Sequence, residues 1–440
     1  MRRTRTTALA LAAALVAALA QGASAQDLRS LYEAARGYDA SYLAARAQAE
    51  SATHRTAQAD ALVRPSAALT GSATAANIDP PSRPDGDSNT VQAALAGRWS
   101  IYNPGNRAQI EQAQRALAAA QAELAAAEQD LIVRLAQAYF DVLAAQDTLA
   151  TARSGKAAIA EQLASAKRAF EVGTATITDT REAQARFDLA EAQEIAADNE
   201  LRVRRIALDQ LVGRQGVAPL PLRTPVALPP LAPASADEWV AGAEGRHPAV
   251  QRARAGLEIA QLEVDRARAA EGPTLDAVGS LGGAHYGGKY PQGASGFTRN
   301  ASVGLQFNLP LYTGGATASR ISETVALQEK ARNDLEGARR AVVLGTRTAF
   351  SGVQSGAAQV RALEAAEASS KLALEATQLG YRVGVRVNLD VLNAQTQLFQ
   401  TQRDLARARY EVLVGGLRLR QAAGTLAEGD LEAVNGMLAR

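Results

Sequence analysis

Cysteine is absent from all 440 residues. Disulfides and thiolate metal sites are therefore excluded, and so is a lipid anchor attached through a cysteine. Aromatic residues make up only 4% of the chain, with two tryptophans, and the three histidines are His54, His247 and His285. These histidines are too scattered to make a metal-ligand spacing, and no cofactor is expected. No nucleophile stands beside a plausible base and no carboxylate pair sits in a candidate cleft, so the chain is not expected to be an enzyme. Gly283 to Lys289 has the spacing of a phosphate loop, but Tyr290 stands where a serine or threonine is required, and Pro291 and Gly293 forbid the following helix. Charge of one sign is lacking as well. The formal net charge is +2, and a mature chain that loses Arg2, Arg3 and Arg5 is left near −1. That balance argues against a nucleic-acid partner. After residue 25 there is no run of eighteen apolar residues, so no membrane-spanning helix is expected.

What is present begins with an export signal at 1–25. Arg2, Arg3 and Arg5 lead into the apolar run Ala8 to Ala20, and Ala23-Ser24-Ala25 supplies the small residues of a cleavage site. The exported chain is then dominated by two proline-free runs, 106–170 and 315–381, dense in Ala, Gln, Glu, Arg and Leu. These residues lose least on entering a helix. Leu117, Leu124 and Leu131 recur every seven residues, and after a step of four the seam continues through Leu135, Val142 and Leu149. That is the stripe of a coiled coil. At 1.5 Å per residue such a helix reaches roughly 95 Å. A narrow stripe on so long a rod needs neighbours.

In order, the first repeat spans 26–216: a helix over 27–63, a β-hairpin over 65–102, the long helix 106–170 and a returning helix 179–212. A linker at 217–235 holds six of the fifteen prolines. The second repeat, 236–424, has a helix over 248–271, a hairpin over 273–312, the long helix 315–381 and a returning helix 390–422. A tail at 425–440 follows. The duplication shows in matched positions: Pro65 and Pro273, Tyr102 and Tyr312, Phe140 and Phe350, Gly173 and Gly384, Gly213 and Gly424 are 208 to 211 residues apart.

The hairpins alternate with a period of two. Val91, Ala93, Leu95, Gly97, Trp99 and Ile101 oppose Gln92, Arg98 and Ser100; Val303, Leu305, Phe307, Leu309 and Leu311 oppose Ser302, Gln306 and Asn308. Each strand has about eleven residues, the length of a tilted membrane-spanning strand. Trp99, Tyr102 and Tyr312 stand where an interfacial aromatic girdle would lie. Four strands cannot close a barrel, for which about eight are needed. The alternative is a periplasmic antiparallel sheet with one wet face; in lipid, open edges are not tolerated, so several chains must share one wall.

The whole exported chain resembles the TolC family of outer-membrane efflux proteins. The likeness rests on the duplication, the two hairpins, and the tip sequences Phe170-Glu-Val-Gly-Thr-Ala-Thr-Ile-Thr-Asp179 and Tyr381-Arg-Val-Gly-Val-Arg-Val-Asn-Leu-Asp-Val-Leu-Asn393. It implies a mainly α fold with transmembrane β. Tandem-duplicated coiled-coil helices would form a periplasmic α-barrel, and four strands per chain would enter the shared β-barrel of a homotrimer in the outer membrane of a Gram-negative bacterium. The implied partners are outer-membrane lipid, a periplasmic adaptor, and an inner-membrane pump or ABC transporter, as in tripartite efflux or type I secretion. Carried over by position, Asp390 matches an acidic ring at the tunnel mouth, where Asn393 replaces a second carboxylate and weakens cation binding. Asp179, Tyr381 and Arg386 match residues that latch neighbouring coils. Val172, Gly173, Thr174, Val383 and Gly384 match the adaptor-docking tips, and Val385 replaces a threonine common there. From the residues alone, Gly173 and Gly384 are the left-handed residues of helix ends, and Asp179 and Asp390 are caps or first-turn acids of the returning helices. The alternative from another class is a structural coiled-coil envelope protein or trimeric adhesin, whose anchor strands would sit at one terminus.

Overall fold

The computed structural model describes residues 26–78, 86–223, 225–226, 228–288 and 295–439; the export signal at 1–25 lies outside them. The chain folds into two compact units, and neither is one of the sequence repeats. One takes its residues from 46–123 and 249–338, the other from the described parts of 1–45, 124–248 and 339–440. Each therefore draws on both halves of the duplication.

The unit from 46–123 and 249–338 holds the strands. β1 (Ser66–Ile78), β2 (Gly86–Tyr102), β3 (Thr274–Gly288) and β4 (Gly296–Asn308) form one antiparallel sheet in that order. The register separates two faces. Leu69, Leu95, Leu281 and Ala301 lie in one row, and Trp99, Ala277 and Leu305 lie in another on the same face. The opposite face carries Ser72, Gln92, Ala284 and Thr298 in one row, with Ser280 and Ser302 hydroxyls 2.8 Å apart in another. Among the described residues nothing covers the apolar face: Val303 is 91% exposed and Leu69 76%. The alternation expected over Val303 to Leu311 outlasts the strand, because β4 ends at Asn308. Pro310 has no N–H to extend the ladder.

The helical part of this unit comprises most of α2 (Ala40–Asp60) and of α6 (Pro248–Ala269), and the strand-proximal portions of α3 (Pro104–Glu171) and α7 (Ala316–Arg382). Glu263 of α6 joins three of them, accepting hydrogen bonds from Gln112 Nε2 (2.8 Å), Arg266 Nη2 (2.7 Å) and Arg320 Nη2 (2.7 Å). Burial raises its pKa, but Arg266, Gln112 and Arg320 together outweigh that and hold it down at about 2. A depressed folded pKa contributes stability above the unfolded value, here 4.5, and that contribution is lost as the pH falls towards 2. Thermal unfolding in detergent across this range should show the parent losing stability more steeply than Glu263→Gln. Parallel pH profiles would remove the clamp assignment.

The second unit has the larger core. Leu131, Leu135, Val142 and Leu149 of the heptad seam are all buried, against α1 (Leu28–Tyr38), α4 (Ile177–Val212), α8 (Asn388–Ala422) and α9 (Glu428–Asn435). Phe140 stacks on Tyr410 at 5.6 Å, and the Tyr410 hydroxyl donates to Asp147 Oδ2 at 2.6 Å. Several features here depart from expectation. The helix expected over 27–63 is broken at Asp39, which is extended (ψ 117) and whose Oδ1 accepts from Tyr42 N–H at 2.8 Å to start α2. A 3₁₀ turn at Ala61–Val63 then ends it. The proline-rich linker is not a free spacer. Val217 is buried, Tyr139 Oη donates to Leu220 O (3.0 Å), and Arg223 N–H donates to Met437 O (2.9 Å). The tail at 425–440 contains α9, whose Asn435 bonds Asp27 and the Leu28 N–H. A further short helix, α5 (Ala236–Arg246), precedes α6.

Candidate functional site at the helix tips

The two reversals, α3 to α4 and α7 to α8, have the same backbone. Gly173 and Gly384 both take left-handed φ, 78° and 77°. Gly173 N–H bonds Phe170 O and Thr174 N–H bonds Ala169 O; Gly384 N–H bonds Tyr381 O and Val385 N–H bonds Gly380 O. This pair of bonds is the Schellman end, which satisfies carbonyls that a stopped helix leaves bare.

The side chains break the symmetry. After the first turn Thr176 caps α4 in a closed box: its N–H and Oγ1 donate to Asp179 Oδ2 at 2.9 and 2.7 Å, and Asp179 N–H donates back to Oγ1 at 3.2 Å. Thr174 Oγ1 also donates to Ala169 O at 3.0 Å. In the second turn the equivalents are Val385 and Val387, which offer no hydroxyl, and α8 begins without a side-chain cap. The two caps therefore differ by about 0.5–2 kcal/mol of helix-end stabilisation. Asp179 and Asp390, expected to open the returning helices, each sit at the third helical position, since α4 starts at Ile177 and α8 at Asn388.

Within this chain Arg386 pairs with Asp390 (Nη1 to Oδ2, 3.5 Å), and Asp179 is engaged by its own cap. Asn393 Oδ1 accepts from Arg186 Nη2 of α4 at 3.0 Å. Tyr381 is half-buried at the end of α7. Val172, Val383, Val385 and Val387 project from the turns, each more than half exposed. Inward of the turns, Gln162 of α3 donates to the buried Asn388 of α8, beside a small apolar cluster of Ile159, Leu163, Ala166, Ala183, Ala190 and Leu392. Arg186, Thr176 and Gln162 were not among the expected site residues. The Thr-x-x-Asp spacing of 176–179 is a readable capping signal, and Arg186 lies seven residues after Asp179, on the same helix face.

The expected girdle aromatics belong to the strand-bearing unit. Trp99 Nε1 donates to Val63 O at 3.0 Å, Tyr102 ends β2 beneath the Arg107 guanidinium, and Tyr312 lies past the end of β4. Among the described residues no helix is long and apolar enough to cross a membrane, and no group of His, Asp and Glu could hold a metal ion.

Residues 31–214 and 239–425 match the family described as "Outer membrane efflux protein". The chain is 31% identical over 423 residues to the outer membrane protein TolC of Vibrio cholerae, covering 96% of both chains. It is 37% identical over 310 residues to the alkaline protease secretion protein AprF of Pseudomonas aeruginosa, covering 70% of this chain and 64% of that one. Among solved structures, the outer membrane protein VceC from Vibrio cholerae superposes with a TM-score of 0.78 at 22% identity, covering 90% of this chain and 96% of that one. The outer-membrane channel OprN superposes at 0.77 and 20% identity, covering 90% of each. The chain belongs to the outer membrane efflux protein family, the passive outer-membrane channels of efflux and secretion.

Proposed function

We propose that this chain forms, as a homotrimer, the outer-membrane conduit of a tripartite efflux or type I secretion system, gated at its helix tips. The observation that carries this reading is the sheet. It has one apolar and one polar face, and it leaves β1 and β4 each with one unpaired edge among the described residues. Lipid accepts only closed sheets, and three copies supply twelve strands, above the roughly eight at which a barrel closes. The apolar rows then face lipid, the Ser, Thr and Gln rows line water, and Trp99, Tyr102 and Tyr312 lie at the interface.

At the tips, Val172-Gly173-Thr174 and Val383-Gly384-Val385 receive the periplasmic adaptor, and the energy comes from an inner-membrane pump or ABC transporter. Asp390 lines the constriction, with Asn393 beside it. Asp179, Tyr381 and Arg386 hold the resting state closed across neighbouring coils. AprF, named for secretion of an alkaline protease, supports a protein-secretion role beside efflux. Single-channel recording in planar bilayers tests the reading. Asp390→Ala should change conductance, and Arg386→Ser with Tyr381→Phe should raise it severalfold. Protein that stays monomeric and passes no current would end the conduit reading.

A further inference from the structure

The apolar face of the sheet ends in a cation. Along β4, Phe307, Leu305, Val303 and Ala301 lie on that face, and their partners across β1 to β3 carry no charge. The next residue on the same face is Arg299, in one row with Gly71, Ala93 and Gly283. One row further out, Phe297 pairs with His285. Arg299 and His285 are both exposed. Among the described residues Arg299 makes no ion pair; its guanidinium carbon lies 5.4 Å from the centre of the Phe297 ring, a cation–π distance. Gly283 makes room for that ring, since a Cβ there would stand 2.7 Å from Phe297 Cζ. The acid on this face among the described strand residues is Asp87, opposite Asn77. It is six residues along β2 from the Arg299 row, about 20 Å away. β1, which a closed trimer sets beside β4, presents Leu69, Gly71, Ala73 and Ala75 there, and none can neutralise the arginine.

We infer that Arg299, oriented by Phe297 and joined by His285, binds the phosphorylated headgroup of an outer-leaflet lipid. The inference rests on the reading of the apolar face as lipid-facing. Phe307 and Arg299 are eight residues apart, about 27 Å along the strand. At a tilt of about 40° that is roughly 20 Å of depth, against an apolar band about 25 Å tall. The long side chain spans the difference by snorkelling, so its charge emerges at the boundary, where an arginine costs little. The helices leave the other end of the sheet, so this boundary belongs to the outer leaflet. A charge set there needs an anion, and the anions at that depth are lipid phosphates. A guanidinium meets phosphate oxygens at two points, and a histidine beside it supplies at least one further N–H.

The test uses the full mature trimer in detergent, with lipid retention read by native mass spectrometry. The probes are bis-phosphorylated lipid A, the same lipid with its phosphates removed, and free inorganic phosphate. Phosphorylated lipid A should stay bound and raise the thermal midpoint, and the other two should do neither. Arg299→Gln should weaken retention roughly tenfold, Arg299→Lys less, and His285→Ala by a smaller factor than Arg299→Gln. Single-channel conductance in phosphatidylcholine bilayers should stay at the parent value, because both side chains face away from the lumen. Equal retention by parent and Arg299→Gln, or equal stabilisation by free phosphate, overturns the headgroup site. A spin label on Val303→Cys, unique in a chain without cysteine, separates the two readings. If oxygen reaches the label better than a water-soluble nickel chelate does, the face is in lipid and only the headgroup site is at stake. A label in water overturns the lipid-facing reading and the site with it.

Discussion

Gly424→Ala should cost about 2–5 kcal/mol, a large share of the roughly 5–15 kcal/mol by which native proteins are stable. Gly424 ends α8 with φ 66°, its N–H bonded to Gln421 O and the next N–H to Arg420 O, both at 2.9 Å. A left-handed residue with a Cβ costs about 1–2 kcal/mol. The larger cost is steric. A Cβ here would lie 2.5 Å from His247 Cα and 2.8 Å from His247 N, and backbone atoms have no rotamer to escape into. Overpacking of this kind typically adds about 1–3 kcal/mol. Gly173→Ala is the control: its φ is equally positive, but nothing lies within 4 Å of the added Cβ. It should cost only the conformational part, about 1–2 kcal/mol. Denaturant unfolding in detergent reads both values, and equal losses would remove the steric argument.

Asp39→Ala should cost about 3 kcal/mol or more. The Asp39 carboxylate accepts Arg134 Nη1 at 2.9 Å and Nη2 at 3.1 Å, a two-point pairing, and the same group caps α2 through the Tyr42 N–H. Asp39 is only 8% exposed, and removing it leaves the Arg134 Nη1 and Nη2 donors without their shared acceptor, while Nε keeps its bond to Asp130. Breaking a buried pair costs about 3–5 kcal/mol and losing a cap about 0.5–2 kcal/mol; the partial exposure of Arg134 brings the pair towards the lower end. The Arg134 hydrogen bonds, acting against burial, hold the Asp39 carboxyl below its ordinary 3.8. Its contribution is therefore complete above pH 3.8 and fades on acidification below it. The stability gap between parent and Asp39→Asn should narrow over that range. A constant gap would mean that packing, not charge, holds the joint.

The long helices and the strand faces were legible because their signals are local and repeated. Leu131, Leu135, Val142 and Leu149 announce a buried seam by spacing alone, and Leu95 and Leu281 announce one face of a sheet by alternation. The break at Asp39 was legible only in part, because Gly37 and the cap-forming Asp39 are local signals, whereas the pairing that holds Asp39 to Arg134 spans 95 residues. The docking of the linker was not legible for a similar reason. Its prolines forbid helix but do not forbid docking, and Tyr139 and the C-terminal segment supply the dock. At the tips, the glycines and Asp179 could be placed from capping rules, whereas the Arg186–Asn393 contact depends on how α4 lies beside α8.

The interleaving of the two compact units has a consequence for biosynthesis. The strand-bearing unit needs residues up to 338 and the other needs residues beyond 339, so neither can close while the first half of the chain leaves the ribosome. A nascent chain holding only the first repeat has its partners still untranslated, and such long-range contacts form late and slowly. The duplicated halves are thus not independent folding units, and a half-length ancestor would have needed a second copy of itself to complete either body. For a polypeptide bound for the outer membrane, delayed closure keeps the chain loose enough to be threaded through a translocation pore before it can lock.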